Sequence, residues 1–163
     1  MTSETATAEP SQTPEEVLNG LVEFLPPVRR EDLSQMHQVG EMLYTPPALP
    51  RWGADMQFEG AVNESVSTRV GARAARLCAQ NLVAMAREEL GSLDRVSQVT
   101  QVNVLVRCSP GSENLSRVAD GASEAFFQLF GSHGRHRRTV VGTTELPESA
   151  PVQVSAIFRV SQA

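Results

Sequence analysis

The sequence predicts an α+β domain in which one sheet carries two helices on the same face. Two stretches have an apolar residue at every third or fourth position, which is typical of amphipathic helices. Three β-branched stretches with alternating apolar residues indicate strands. After a β-rich start the order is helix, strand, helix, strand, strand, which favours both helices on one side of a single sheet. The other side then needs a cover, and oligomerisation is the simplest one.

The N-terminal segment predicts a disordered tail over residues 1–15 and a folded domain over 16–163. The tail is rich in Thr, Ser, Pro and Glu, and it has too little apolar content to offset the entropy of ordering. It has neither the basic start nor the apolar core of a secretion signal, so we expect a cytoplasmic protein. Residues 17–28 predict a short helix that ends at Pro26 and Pro27.

The remaining elements follow in order. Residues 36–44 predict a strand that is interrupted at Gly40 and stopped by Pro46, and residues 51–61 predict a loop. The clearest helix covers residues 65–89 and ends at Gly91, and a second helix covers 112–130 and ends at Gly131. Strands are predicted at 96–107, 139–143 and 152–160, the last two separated by a Leu146-Pro147 turn.

Composition and motifs exclude several classes of function. No apolar run approaches the roughly 20 residues of a membrane-spanning helix. The net charge of −5 argues against sequence-independent nucleic-acid binding. Cys78 and Cys108 are too far apart for a zinc motif, and His133 and His136 have no third ligand nearby, so we expect buried thiols and solvent-facing loop histidines. No nucleotide-binding, hydrolase-elbow or zinc-protease motif occurs, and neither a metal nor a cofactor is expected.

Several stretches together resemble the YjgF/RidA family. They are residues 90–96 (LGSLDRV), 118–127 (VADGASEAFF), 130–131 (FG), 134–147 (GRHRRTVVGTTELP) and 151–157 (PVQVSAI). An arginine, a short strand, a Leu-Pro turn and an alternating strand recur here in the family's order and spacing. The resemblance covers roughly residues 60–160. It implies a chorismate-mutase-like fold with one mixed sheet, a homotrimer, and ligand clefts between subunits.

The resemblance also implies a site and a reaction. In the family's deaminases an arginine on a strand binds the carboxylate of an unstable 2-imino or 2-enamino acid, which water hydrolyses to a 2-keto acid and ammonia. Arg138 occupies that place, so the implied activity is that of a 2-iminobutanoate/2-iminopropanoate-type deaminase, a hydrolase. Arg138 and Gln153 are the implied catalytic residues, and Asp120, Val140 and Gly142 are further ligand-binding candidates. A guanidinium stays charged and has a planar fork that fits a carboxylate.

Three departures from the family pattern leave alternatives open. Gln153 stands where the enzymes commonly carry a glutamate, and an amide cannot act as a carboxylate base. The tyrosine expected before the Val39-Gly40 turn is missing, and Pro46-Pro47-Ala48 stands where the family usually has Ser-Gly-Gln. These changes are equally typical of a non-catalytic scaffold, an effector-binding module, a partner subunit, or a specialised biosynthetic enzyme. RNA handling through residues 135–138 is disfavoured by the acidic total charge and the absence of interleaved aromatic residues.

Overall fold

The computed structural model describes residues 12–22 and 24–162, and its centre is a five-stranded sheet. The strand order is β1-β2-β7-β5-β6, and a separate two-stranded ribbon pairs β3 with β4. The strands are β1 (His37–Val39), β2 (Met42–Tyr44), β3 (Arg51–Trp52), β4 (Asp55–Met56), β5 (Val96–Arg107), β6 (Arg137–Thr143) and β7 (Val152–Val160). The helices are α1 (Pro14–Asn19), α2 (Arg30–Leu33), α3 (Thr68–Leu90) and α4 (Leu115–Phe130). The predicted α+β class is confirmed.

The sheet is mixed because β5 pairs with β6 in parallel and with β7 antiparallel. Side chains alternate between the two faces of a strand. In β5 the residues Val102, Val104 and Val106 are at most 1% exposed and face the helices. Their partners in β6 share that face, whereas the residues between them point to the opposite side.

Both long helices pack on this buried face, as predicted. Helix α3 lies against β7 and helix α4 lies against β5 and β6, while the two helices pack against each other. Ser67 caps the start of α3 through the N–H of Val70, and Gly91 ends it in a left-handed conformation. At Gly121 of α4 an added Cβ would lie 1.9 Å from the backbone oxygen of Ala72, so only glycine allows this helix crossing.

The opposite face of the sheet is not covered by any helix of the described residues. It carries Leu105, Val141 and Ile157 among polar residues that include Asn103, whose Oδ1 accepts hydrogen bonds from Gln101 and Thr139. Val141 is 54% exposed. This face therefore has the mixed apolar and polar character that suits contact with another chain.

The short elements near the N-terminus differ from the predictions. The interruption at Gly40, where φ is +57°, is the turn of a hairpin between β1 and β2. The predicted loop over residues 51–61 contains the β3–β4 ribbon. Residues 1–11 of the predicted tail lie outside the described residues, but Glu15, also assigned to the tail, belongs to α1 and accepts a hydrogen bond from the N–H of Leu93. Within 12–22 and 24–162, no helix is long and apolar enough to cross a membrane.

Candidate functional site

Arg138 lies on β6, one of the two edge strands of the five-stranded sheet, with its side chain on the helix-packed face. It pairs with the buried Val102, and its NH1 donates to Asp120 Oδ1 at 2.8 Å and to Ser123 Oγ at 3.1 Å. Both partners belong to α4, so the helix fixes the orientation of the guanidinium. The side chain of Arg138 remains 24% exposed, because no strand of the described residues covers this edge.

Ser123 and His136 form a hydrogen-bonded pair directly beside Arg138. Ser123 is only 4% exposed, and its Oγ lies 2.9 Å from Nε2 of His136. The other ring nitrogen, Nδ1, lies 2.6 Å from the carbonyl oxygen of Gly134. A carbonyl can only accept, so neutral His136 carries its proton on Nδ1, and Nε2 accepts from the Ser123 hydroxyl.

The imidazole of His136 is held between two aromatic rings of α4. Phe127 stacks on it with a centroid distance of 5.5 Å and an angle of 20°, and Phe126 meets it edge-on at 5.7 Å and 73°. Burial lowers the pKa of His136 below its usual value, and the positive charge of Arg138 lowers it as well, against the opposing effect of the Gly134 carbonyl. His136 is therefore mainly neutral at pH 7, with a basic Nε2.

These side chains line one open cavity of about 390 Å³ on the outside of α4 and β6. Its lining consists of Asp120, Ser123, Glu124, Phe127, His136 and Arg138. Asp120 and Phe127 are exposed at the rim, at 55% of the side chain and 45% respectively. The cavity thus combines a cation, a neutral base, a hydroxyl and an aromatic wall.

The structure separates the residues that the resemblance placed in one site. Gly142 shares the face of Arg138 but lines a second cavity of about 410 Å³ with Cys108 and Leu115. An added Cβ at Gly142 would lie 2.9 Å from Cys108 Sγ, so packing accounts for the glycine. Val140 packs against the core between the two cavities. Asp120 is the ion-pair partner of Arg138.

Gln153 lies on the other side of the sheet from Arg138. It pairs with Leu105, whereas Arg138 pairs with Val102, and these two positions in β5 point to opposite faces. The flanking residues Val152 and Val154 are fully buried under the helices. In one chain, therefore, Gln153 is not part of the cavity that contains Arg138.

The sequence analysis missed Ser123 and misplaced His136. His136 is not a solvent-facing loop residue, because it packs under Phe127 and Gly134, two residues before it, is buried. His133 is exposed as predicted. The spacing of the cavity residues along the sequence could have indicated this site. Residues 120, 123 and 127 lie on one face of a helix, and residues 136 and 138 lie on one face of an extended chain.

Comparisons with known proteins place the chain among relatives of the same fold. No family profile matches the sequence. A curated relative, Protein TCP17 of Trypanosoma cruzi, is 37% identical over 123 residues, which is 75% of this chain and 77% of that protein. The crystal structure of Atu1372 from Agrobacterium tumefaciens, of unknown function, has a TM-score of 0.83 and 30% identity, over 91% of this chain and 92% of that one. RidA from an Antarctic Psychrobacter has a TM-score of 0.54 and 18% identity, over 77% and 86%.

Proposed function

We propose that this chain, which belongs to the YjgF/RidA family, binds a small carboxylate-bearing imine, enamine or keto acid through Arg138 and hydrolyses the imine to a keto acid and ammonia. The observation that carries this proposal is the position and the hydrogen bonding of Arg138. Its guanidinium is held by α4 through one nitrogen, and it lines an open cavity with His136 and Phe127.

The unused donors of Arg138 suit a carboxylate. Within the described part of the chain, NH1 makes both of its side-chain hydrogen bonds, and neither Nε nor NH2 donates to another residue. A guanidinium has five N–H donors, and adjacent nitrogens can bind both oxygens of one carboxylate. Arg138 can therefore bind an anionic ligand without losing the contacts that orient its guanidinium.

The size and lining of the cavity favour a small ligand with an apolar side chain. A volume of about 390 Å³ is at the lower end of ligand pockets. The half-exposed ring of Phe127 provides an apolar wall for the alkyl part of a 2-imino acid. Asp120 and Glu124 offset the positive charge of Arg138, which disfavours polyanions such as RNA more than a ligand with one negative charge.

The reaction needs little more than orientation and proton transfer. Water adds to the imine carbon of 2-iminopropanoate, the nitrogen takes up protons, and ammonia leaves to give pyruvate. An imine is already electrophilic, so binding in one orientation beside an ordered water supplies much of the acceleration. The imine carbon is bonded directly to the ligand carboxylate that Arg138 binds, so binding of the carboxylate also positions the imine carbon.

We propose further that the sites form part of a homotrimer. The exposed apolar residues of the sheet face that lacks helices support an assembly in which copies cover each other there. The Arg138 cavity lies on the other face, at the edge strand β6, so a second copy would have to extend past that edge to complete it.

The test is ammonia and keto-acid release from freshly generated 2-iminopropanoate and 2-iminobutanoate. Wild-type protein should exceed the buffer rate, and Arg138→Ala should lose this acceleration while keeping its far-ultraviolet circular dichroism. The matched control is Arg135→Ala, because Arg135 is an exposed arginine of the same basic segment that does not line the cavity. No acceleration by folded wild-type protein, or an acceleration that Arg138→Ala retains, would refute the proposal.

A further inference from the structure

We infer that Ser123 and His136 form a proton relay that activates the attacking water beside Arg138. This inference rests on the proposed function for its substrate. Ser123 is the catalytic residue of the pair, because it lines the cavity, where its hydroxyl would contact the attacking water. His136 is the positioning residue that accepts the proton through Ser123.

The first argument is the direction of the hydrogen bonds. The Gly134 carbonyl fixes the proton of neutral His136 on Nδ1, so Nε2 has a lone pair directed at Ser123 Oγ, 2.9 Å away. This is the arrangement in which a hydroxyl passes its proton to an imidazole while a further group orients the ring. Phe126 and Phe127 hold the ring plane in this position.

The second argument is the place of the hydroxyl. Oγ of Ser123 also accepts from Arg138 NH1 at 3.1 Å, so it lies between the base and the anchor of the substrate carboxylate. The imine carbon is bonded directly to that carboxylate. Ser123 and Arg138 line the same cavity, and in the proposed relay the attacking water lies there, between the Ser123 hydroxyl and the imine carbon. The guanidinium favours negative charge that develops on either oxygen.

The proposed step balances in atoms and charge. The oxygen of water forms a bond to the imine carbon, one proton of water passes to Ser123 Oγ, and the proton of Ser123 passes to His136 Nε2. The electron pair of the C=N bond moves to nitrogen, which takes the proton back from His136 through Ser123. In the resulting carbinolamine the hydroxyl proton passes by the same route to the amino nitrogen, the C=O bond forms as the C–N bond breaks, and ammonia and the keto acid are released.

The charges around His136 define the pH dependence. Arg138 on β6 faces it from the strand, and Asp120 and Glu124 on α4 line the same cavity from the helix. Burial and Arg138 lower the pKa of His136, so its neutral, basic form persists below pH 6.5. The hydrolysis rate should therefore be level at neutral to mildly alkaline pH and should fall, on acidification, at a lower pH than an ordinary histidine would give.

The experiment compares kcat, KM and the pH profile of wild type, Ser123→Ala, Ser123→Thr and His136→Gln on 2-iminobutanoate. Ser123→Ala and His136→Gln should each lower kcat by about 10²-fold or more, which is typical of lost general base catalysis. Binding of 2-oxobutanoate, measured by calorimetry, should change less than tenfold. His136→Gln should also lose the acidic limb of the pH profile, and Ser123→Thr, which keeps a hydroxyl, should retain part of the rate and the limb.

The control variant is His133→Gln, because His133 is an exposed histidine three residues earlier that does not line this cavity. It should match wild type in rate and pH profile. If Arg138-dependent hydrolysis persists in folded Ser123→Ala with an unchanged kcat and acidic limb, the relay is wrong and the proposed function stands. If wild type hydrolyses no imine, both the function and the relay are refuted.

Discussion

Replacing Gly121 with alanine should force helices α3 and α4 apart. A Cβ at this position would lie 1.9 Å from the carbonyl oxygen of Ala72 and 2.6 Å from its carbonyl carbon. Both atoms belong to the backbone of α3, so no change of side-chain rotamer relieves the overlap. Ordinary contact begins at 3.4 Å, and the helices must therefore separate by about 1.5 Å across a fully buried interface.

The expected loss is about 3 kcal/mol in the free energy of unfolding. Overpacking of a core costs about 1–3 kcal/mol and occasionally more, and this overlap with rigid backbone belongs above that range, at about 4 kcal/mol. The higher helix propensity of alanine offsets about 1 kcal/mol of this loss. For a domain of this size, the midpoint of thermal unfolding should fall by roughly 6–12 °C.

The assay is urea and thermal unfolding followed by circular dichroism at one fixed protein concentration. Gly71→Ala is the matched control, because Gly71 is also a buried helical glycine. Its added Cβ would lie 3.0 Å from a methyl group of Val62 and 3.2 Å from one of Val118, which are side-chain ends that can shift. It should lose less than about 1 kcal/mol. Equal losses in the two variants would refute the argument from the helix crossing.

Two further predictions concern the ligand and the assembly. Asp120→Asn keeps an acceptor for Arg138 but removes the competing charge; since an exposed ion pair contributes up to about 1 kcal/mol, the Kd for 2-oxobutanoate measured by calorimetry should fall by up to about fivefold. A higher Kd would instead indicate that Asp120 itself contacts the ligand. In sedimentation, wild type should have the mass of three 17.7 kDa chains; Val141→Arg should reduce it, whereas Val22→Arg, also exposed but off the sheet, should not. A monomeric wild type would contradict the trimer.

The long elements could be predicted because their signals are local. Strands β5 and β7 occupy the predicted residues, since β-branched side chains alternate along both of them. Helix α3 ends where Gly91 takes a left-handed conformation. The start of α1 could not be predicted from the tail composition alone. Its Glu15 is held by Leu93 and Arg87, which lie more than seventy residues away in the sequence.

The candidate site also has one part that could be predicted from the sequence and one part that could not. Arg138 could be identified from the family pattern around it, and strand alternation could have separated it from Gln153, because Val152 and Val154 direct Gln153 away from the core. The Ser123–His136 pair depends instead on how α4 meets β6, which is a tertiary contact with no sequence pattern of its own.

Gly134 links that tertiary contact to the chemistry. An added Cβ there would lie 2.5 Å from the backbone oxygen of Phe126, so the turn before β6 can approach α4 only with glycine. The same residue supplies the carbonyl that orients His136. One glycine therefore allows the close approach and also selects the tautomer whose Nε2 accepts from Ser123. For this reason the basic segment at 135–138, which the sequence predicts to be a solvated turn, forms one wall of the cavity in the fold.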